Sequence, residues 1–317
     1  MDLVSGMTQL RPKTRGCVAT VGNFDGVHLG HQAILKQLKA IARDRALDPT
    51  VITFEPQPQE YFQPERAPAR LTRWREKFEL LEVQGMAQMI CLRFDAALAS
   101  LSAKAFVEQV LVRGLNVKCL VAGDDFRFGK GREGDQALLK ALGAEYGFQV
   151  VRAQTHRLNG RRVSSTWVRE VLAAGEMERA RRLLGRYYSI SGRVVHGDKQ
   201  GHRLGFATAN IDLRRGQSPV QGIFAARVFE LAAEGLAAVT YVGSRSAVGG
   251  KRRVLEAHVF DFEQDCYGAH VRVELIKKLR DDQHFDSFEA LKRQIALDAE
   301  CARSVLAKRR RLSTDRV

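Results

Sequence analysis

The sequence lacks any pairing among its cysteines. Cys17, Cys91, Cys119, Cys266 and Cys301 are odd in number, scattered, and never form a C-x-x-C unit, which argues against a disulfide framework and against a zinc site. It also lacks any apolar run approaching the roughly 20 residues that a membrane-spanning helix requires, and Met1 to Leu10 carries Asp2 without a hydrophobic stretch of the export-signal kind. No RNA-binding motif is recognisable. Together these absences predict an unexported, cytoplasmic protein with no membrane partner and no specific nucleic-acid partner.

What is present is length and positive charge. With 317 residues, 45% of them hydrophobic, the chain can form about two domains that each bury a core. Its formal charge is +15, a surplus that attracts polyanions such as nucleotides or nucleic acid. The surplus is shared almost evenly between the residues up to Gly185 and those after it, so neither half is the basic one. The densest run, Lys308-Arg309-Arg310-Arg311, reads as part of a solvated, disordered tail over 307–317.

Periodicity divides the chain near residue 186, giving domains 1–185 and 186–306. Cys17–Val21, Val51–Phe54, Met89–Leu92 and Cys119–Ala122 read as strands, with helical spacing over Gln32–Ala46, Lys77–Val83 and Ala103–Leu111. Strands alternating with helices predict a doubly wound parallel sheet. Two helical stretches follow Ser165. From Tyr187 the pattern becomes short alternating runs (Ser189–Val195, Phe224–Phe229, Ala237–Val242, Val254–Phe262, Val271–Leu279) and ends in a helix over about Ser287–Leu306. That half predicts a small antiparallel β-barrel with a terminal helix.

Between the first strand and its helix stands Gly22-Asn23-Phe24-Asp25-Gly26-Val27-His28-Leu29-Gly30-His31. Glycines let the backbone approach an anion, free helix N–H groups point at it, and two imidazoles can donate to developing charge. H-x-x-H spacing could also suggest a metal, but Gly30 favours a loop and no further ligand-like partners stand nearby. A second element, Val163-Ser164-Ser165-Thr166-Trp167-Val168-Arg169, sets hydroxyls at a helix start and an arginine one turn on, suited to polyphosphate, although Ser and Thr are also ordinary helix caps. The first segment resembles the H-x-G-H signature of the nucleotidyltransferase superfamily, and its longer form G-N-F-D-G-V-H-x-G-H resembles the FAD synthetase branch. The resemblance implies that FMN phosphate attacks the α-phosphorus of ATP directly, with Mg²⁺ accompanying the triphosphate and pyrophosphate leaving. It assigns His28 and His31 to the phosphates, Ser164, Ser165 and Arg169 to the β and γ groups, and Asp25 or Asn23 to loop architecture or nucleotide contact, with Gly22, Gly30 and Thr166 among the nucleotide-binding residues. Phe24 lies in the same loop. The segments containing Phe54, Pro56, Pro58, Tyr61 and Phe62, and Asp125 and Phe128, resemble those that surround flavin and adenine, burial in a core being the other use of such rings.

In the second half, Gly197, Gly201 and Gly205 are spaced four apart before Thr208-Ala209-Asn210. A glycine-rich turn alone would be hairpin punctuation, but Thr208 and Asn210 carry oxygens suited to Mg²⁺ and phosphate. This stretch resembles a riboflavin kinase phosphate loop. Glu256, on an alternating strand whose pattern would equally let it face solvent, matches the family glutamate that takes the proton of the ribityl 5′-hydroxyl. Asp265–Gly268 and Lys278–Phe285 also resemble the kinase, so the likeness to bifunctional riboflavin kinase/FAD synthetases covers nearly the whole chain, with ATP, riboflavin and FMN as the implied substrates.

Two positions depart from it: Ala207 stands where proline is usual, and Ser246-Ala247 where P-T is common. Loss of a fitted proline loosens a turn by about 0.4–1 kcal/mol. Three other readings follow from the sequence: an FMN adenylyltransferase with a silent kinase module, a nucleotidyltransferase of another specificity, and a basic nucleic-acid-binding protein with steeply salt-dependent binding.

Overall fold

The computed structural model describes residues 1–196, 208–213, 216–232, 234–247 and 250–314. Gly197, Gly201, Gly205 and Ala207 lie outside the described residues, as does the side chain of Ser246. The chain forms two compact units, Met1–Pro68 with Thr72–Ser164, and Ala69–Leu71 with Ser165–Val317.

The first unit is built on six strands, β1 (Asp2–Ser5), β2 (Cys17–Val21), β3 (Asp48–Glu55), β4 (Gln88–Arg93), β5 (Val117–Ala122) and β6 (Gln149–Arg152). They lie in the order β1-β4-β3-β2-β5-β6 and every pairing is parallel. Helices α1 (Leu29–Asp44), α2 (Pro58–Phe62), α3 (Trp74–Val83), α4 (Ala96–Ala99), α5 (Ala103–Phe106) and α6 (Gln136–Tyr146) connect them, with α5 widening into a π-helical stretch over Val107–Gly114.

Because successive strand side chains point to opposite faces, the sheet serves two cores. Val18, Val51, Met89, Cys91, Cys119 and Val121 pack with Leu35, Leu38 and Leu81 of α1 and α3. Cys17, Ala19, Ile52, Ile90, Leu92, Leu120 and Ala122 pack on the other face with Phe106, Val110, Leu139 and Leu142. Strands buried on both faces read as continuous apolar runs, which is why β2, β4 and β5 are plain in the sequence. A two-stranded ribbon, β7 (Arg157–Leu158) and β8 (Arg161–Arg162), follows β6.

The second unit begins with α7 (Ser165–Ala173) and α8 (Met177–Leu184). Six strands, β9 (Tyr188–Val195), β10 (Ala209–Asp212), β11 (Gly222–Phe229), β12 (Leu236–Ala247), β13 (Gly250–Val259) and β14 (His270–Arg280), then close an antiparallel barrel in the order β10-β13-β12-β11-β14-β9. Ala302 and Leu306 of the terminal helix α9 (Phe288–Thr314) pack against Ile223, Ala225, Val239 and Ile276 on the barrel's outside. Arg280 grips Asp298 with two nitrogens, at 3.0 and 2.7 Å. The helix continues past Leu306 to Thr314, where a disordered tail was expected. Its last turns hold no glycine or proline, Ala, Leu, Lys and Arg are strong helix formers, and cations at a helix C-terminus complement its dipole.

All five cysteines are free, and burial pushes the Cys17 thiol up to about 11. Among the described residues no helix is long and apolar enough to cross a membrane.

Candidate active sites

In the first unit the chain leaves central strand β2 for β3 and β4 on one side, and later takes up β5 and β6 on the other. The carboxyl ends of β2 and β5 therefore form the topological switch point, where open parallel sheets bind ligands. The loop Gly22–His28 leaves β2 there. The Gly22 N–H donates to the Ile52 carbonyl at 3.0 Å, tying the loop's start to β3. Phe24 and Val27 both hold positive φ, 47° and 40°, a conformation costing on the order of 1–3 kcal/mol for a non-glycine residue. Both side chains are buried in the core shared with α1, which offsets that strain. Phe24 thus gives its ring to the core, where it also meets the His31 ring at 4.9 Å.

Asp25 is a scaffold carboxylate. It is 2% exposed and accepts from the Thr72 N–H at 2.9 Å and the Thr72 hydroxyl at 3.1 Å, while that hydroxyl oxygen accepts from the Gly26 N–H at 2.9 Å. Asp25→Ala is expected to cost about 1–3 kcal/mol, the desolvation penalty of the donors it deserts. It should also reduce FMN adenylylation beyond what the lost folded fraction explains, as checked by denaturant unfolding beside turnover of FMN to FAD.

His28 caps α1, its Nδ1 accepting from the His31 N–H at 3.3 Å. The His28 and His31 rings stack at 3.7 Å and 17°. Burial holds His31 well below the usual histidine range, helped by the charges of His28, Lys77 and Arg162. Gly30 has no room for a side chain: a Cβ would lie 2.7 Å from the Val163 carbonyl oxygen and 3.0 Å from the His28 ring. The loop and the segment ahead of Ser164 are therefore in close contact.

Asn23 is exposed at the loop's tip. Beyond β3 and β4, Phe54, Tyr61 and Phe62 meet Phe94 edge to face at 5.7, 5.5 and 5.6 Å. Phe62 is 61% exposed, and Pro58 opens the short helix that carries it. Pro56 precedes that helix. Phe94 belongs to the cluster and was missed, a lone phenylalanine after a strand carrying no signal. Phe128 is a core side chain stacked on Phe126 at 5.3 Å and 12°, and Asp125 is one of the polar groups of its segment. Burial would raise the Asp125 pKa, but its hydrogen bond and 3.0 Å ion pair with Arg162 win and lower it.

In the second unit, Ser165 and Thr166 open α7, and the Arg169 Nε donates to the Ala69 carbonyl at 2.6 Å. In the barrel, the register sets Asn210 directly opposite Glu256 on β13, with Tyr241 as the neighbour on the other side. The adjoining pairs Ile211–Leu255 and Ala209–Ala257 are buried in the core, so Asn210 and Glu256 share the opposite face. Asn210 Nδ2 donates to the Thr208 carbonyl at 3.5 Å. Thr208, Asn210 and Glu256 form an oxygen-rich group. Among the described residues, no cluster of three histidine, cysteine or carboxylate side chains could hold a metal.

A glycine and histidine loop at the switch point of a parallel sheet, joined to a closed barrel with a polar strand face, defines a two-unit nucleotide-using transferase. A family model for FAD synthetase matches residues 10–167, and one for riboflavin kinase matches residues 184–306. The bifunctional riboflavin kinase/FMN adenylyltransferase of Escherichia coli (strain K12) is 48% identical over 96% of this chain and 97% of its own. That of Pseudomonas fluorescens is 46% identical over 97% and 98%. The chain belongs to the bifunctional riboflavin kinase/FMN adenylyltransferase family. A crystal structure described as a macrolide-efflux protein from Streptococcus pneumoniae is also similar, at 28% identity and TM-score 0.81, covering 96% of this chain and 99% of that one.

Proposed function

We propose that the chain converts riboflavin to FAD in two ATP-dependent steps, phosphorylation in a domain over 186–306 and adenylylation in a domain over 1–185. In the first step the ribityl 5′-hydroxyl attacks the γ-phosphorus of ATP, Glu256 takes the hydroxyl proton, and ADP leaves. Thr208 and Asn210 would hold Mg²⁺, for which their hard oxygen donors beside the Glu256 carboxylate fit. Bound there with ATP, the ion supplies neutralisation of phosphate charge.

In the second step the FMN phosphate attacks the α-phosphorus of a second ATP and pyrophosphate leaves. His28 and His31 donate to the phosphates at the N-terminus of α1, and Ser164, Ser165, Thr166 and Arg169 take the β and γ groups. Phe62 and its aromatic neighbours receive the flavin ring, and Asn23 and Asp125 the nucleotide. No proton transfer to the protein is required, so catalysis is positioning and charge stabilisation. The observation that carries this reading is the stacked His28–His31 pair capping α1 at the switch point. Unpaired cysteines and ATP as co-substrate support a cytoplasmic enzyme.

The test incubates the protein with ATP and Mg²⁺ and either riboflavin or FMN, and resolves the flavins by chromatography. FAD from both is expected, and none from either once the divalent cation is chelated. FAD from FMN alone would mean that Ala207 and Ser246 mark a silent kinase, and FAD from neither would overturn the reading.

A further inference from the structure

Lys77 is among the largest fully buried side chains of the described residues, at 1% exposure. Lysine is almost never placed so deep without a purpose, because burying its charge costs several kcal/mol before compensation. It lies in the first turn and a half of α3, and its Nζ reaches the Thr53 hydroxyl oxygen at 3.4 Å. That hydroxyl in turn donates to the Asn23 carbonyl at 3.4 Å. The Asn23 carbonyl belongs to the peptide entering Phe24, where φ turns positive. Thr72, the residue ahead of the α3 cap Arg73, holds Asp25 and Gly26. The start of α3 and the residue ahead of its cap therefore hold the histidine loop at two places, one through Thr72 with Asp25 and Gly26 and one through Lys77 with Thr53.

We propose that Lys77 is a positioning residue for adenylyl transfer, fixing the Gly22–His28 loop through Thr53 and Asn23. The proposal deepens the adenylyltransferase reading above and rests on it. The groups that act on the His31 ring are His28 at the α1 cap, Lys77 on α3 and Arg162 on β8, with burial the largest influence. The Lys77 charge disfavours a positive charge on that ring. The uncharged His31 donates to a phosphate oxygen without requiring a proton from solvent, and Lys77 adds positive potential under a site where negative charge gathers.

The test uses the full chain carrying Lys77→Met, which keeps bulk and helix propensity without charge. The expected result is a loss in kcat for FMN adenylylation on the order of 10-fold to 100-fold, the scale of mispositioning by a residue outside the chemistry. Riboflavin phosphorylation by the same sample should be unchanged, which shows the loss is local. The acid limb of the adenylylation pH profile should move to higher pH, because removing a neighbouring cation eases protonation of His31. Histidine NMR, with the resonance assigned by its absence in His31→Gln, should show the same upward shift without any turnover. An unchanged kcat, or a His31 titration and acid limb that stay where they are, would overturn the proposal.

Should Lys77→Met fail to fold, Thr53→Val decides. It removes the hydroxyl relay at constant shape, and a several-fold loss of kcat is expected while an unchanged kcat overturns the proposal. Where both variants fold, Lys77→Met should cost less in the Thr53→Val background than alone, since contacting residues in one network are not additive. If the unsubstituted protein makes no FAD from FMN, the adenylyltransferase reading has failed instead, a result separable from all of these.

Discussion

Glu256→Gln is expected to lower riboflavin phosphorylation by about 10²–10⁴-fold, the usual contribution of a general base, while FMN is still converted to FAD at the unsubstituted rate. The substitution keeps the shape and one oxygen, so the pairing of β13 with β10 and β12 survives and only the proton acceptor is lost. A structural role would show as lowered thermal stability with parallel decline of both activities. A role as general base shows in kcat, with the riboflavin KM little changed, because the carboxylate acts on the hydroxyl proton in the transition state. Asn210 stands directly across the strand pair from Glu256, so Asn210→Ala should also weaken phosphorylation. Its effect should appear in the dependence on ATP and Mg²⁺ concentration. The two assays on one sample, riboflavin to FMN and FMN to FAD, make each half the control for the other.

Replacing His28 should produce the complementary loss, a fall of about 10²–10³-fold in FMN adenylylation, the scale measured when one donor to developing charge is removed. His28 has two separable duties in the geometry. Its Nδ1 caps α1 by accepting from the His31 N–H, and in the proposed reaction its ring donates to a phosphate. His28→Asn preserves the first, since asparagine is a good cap, and loses the second. His28→Ala loses both and should cost a further 0.5–2 kcal/mol or about 1 in stability, read by chemical denaturation. Equal loss of activity in the two variants, with unequal loss of stability, assigns catalysis to the donor and folding to the cap. Retained activity in His28→Asn would reduce His28 to a helix cap.

The strands buried on both faces were legible because their residues are apolar without interruption, as in Cys17–Val21 and Cys119–Ala122. The edge strand Asp2–Ser5 was not, because it is short, mostly exposed and alternates only once. Helix α6 was overlooked, although Asp135 caps it and Gly147 ends it in a left-handed turn. The histidine loop was visible as a motif, but its mechanics were not. Nothing in the string shows that Asp25 is spent on Thr72, that Phe24 turns inward, or that Gly30 is required by the approach of Val163. Lys77 was invisible for a general reason: one lysine in an amphipathic helix reads as a solvated residue, and only the tertiary fold shows which way it points. The pairing of Asn210 with Glu256 depends on register between strands distant in sequence, which composition cannot supply. Glu256 was identified through family likeness, and the barrel then gave it a neighbour.

The closing seam of the barrel has a consequence for how the protein is made. Strand β9 pairs with β14, Tyr188 opposite Leu275, so the ring joins parts of the chain synthesised far apart. Until the residues of β14 have left the ribosome, β9 has no partner on that side and its edge is exposed to other nascent chains. Long-range closure is also entropically expensive and slow. The parallel sheet, by contrast, is completed by Arg152, well before the barrel's last strand is translated. Biogenesis should therefore be limited by the kinase half, and chaperone dependence during synthesis should concentrate on the interval between translation of β9 and translation of β14.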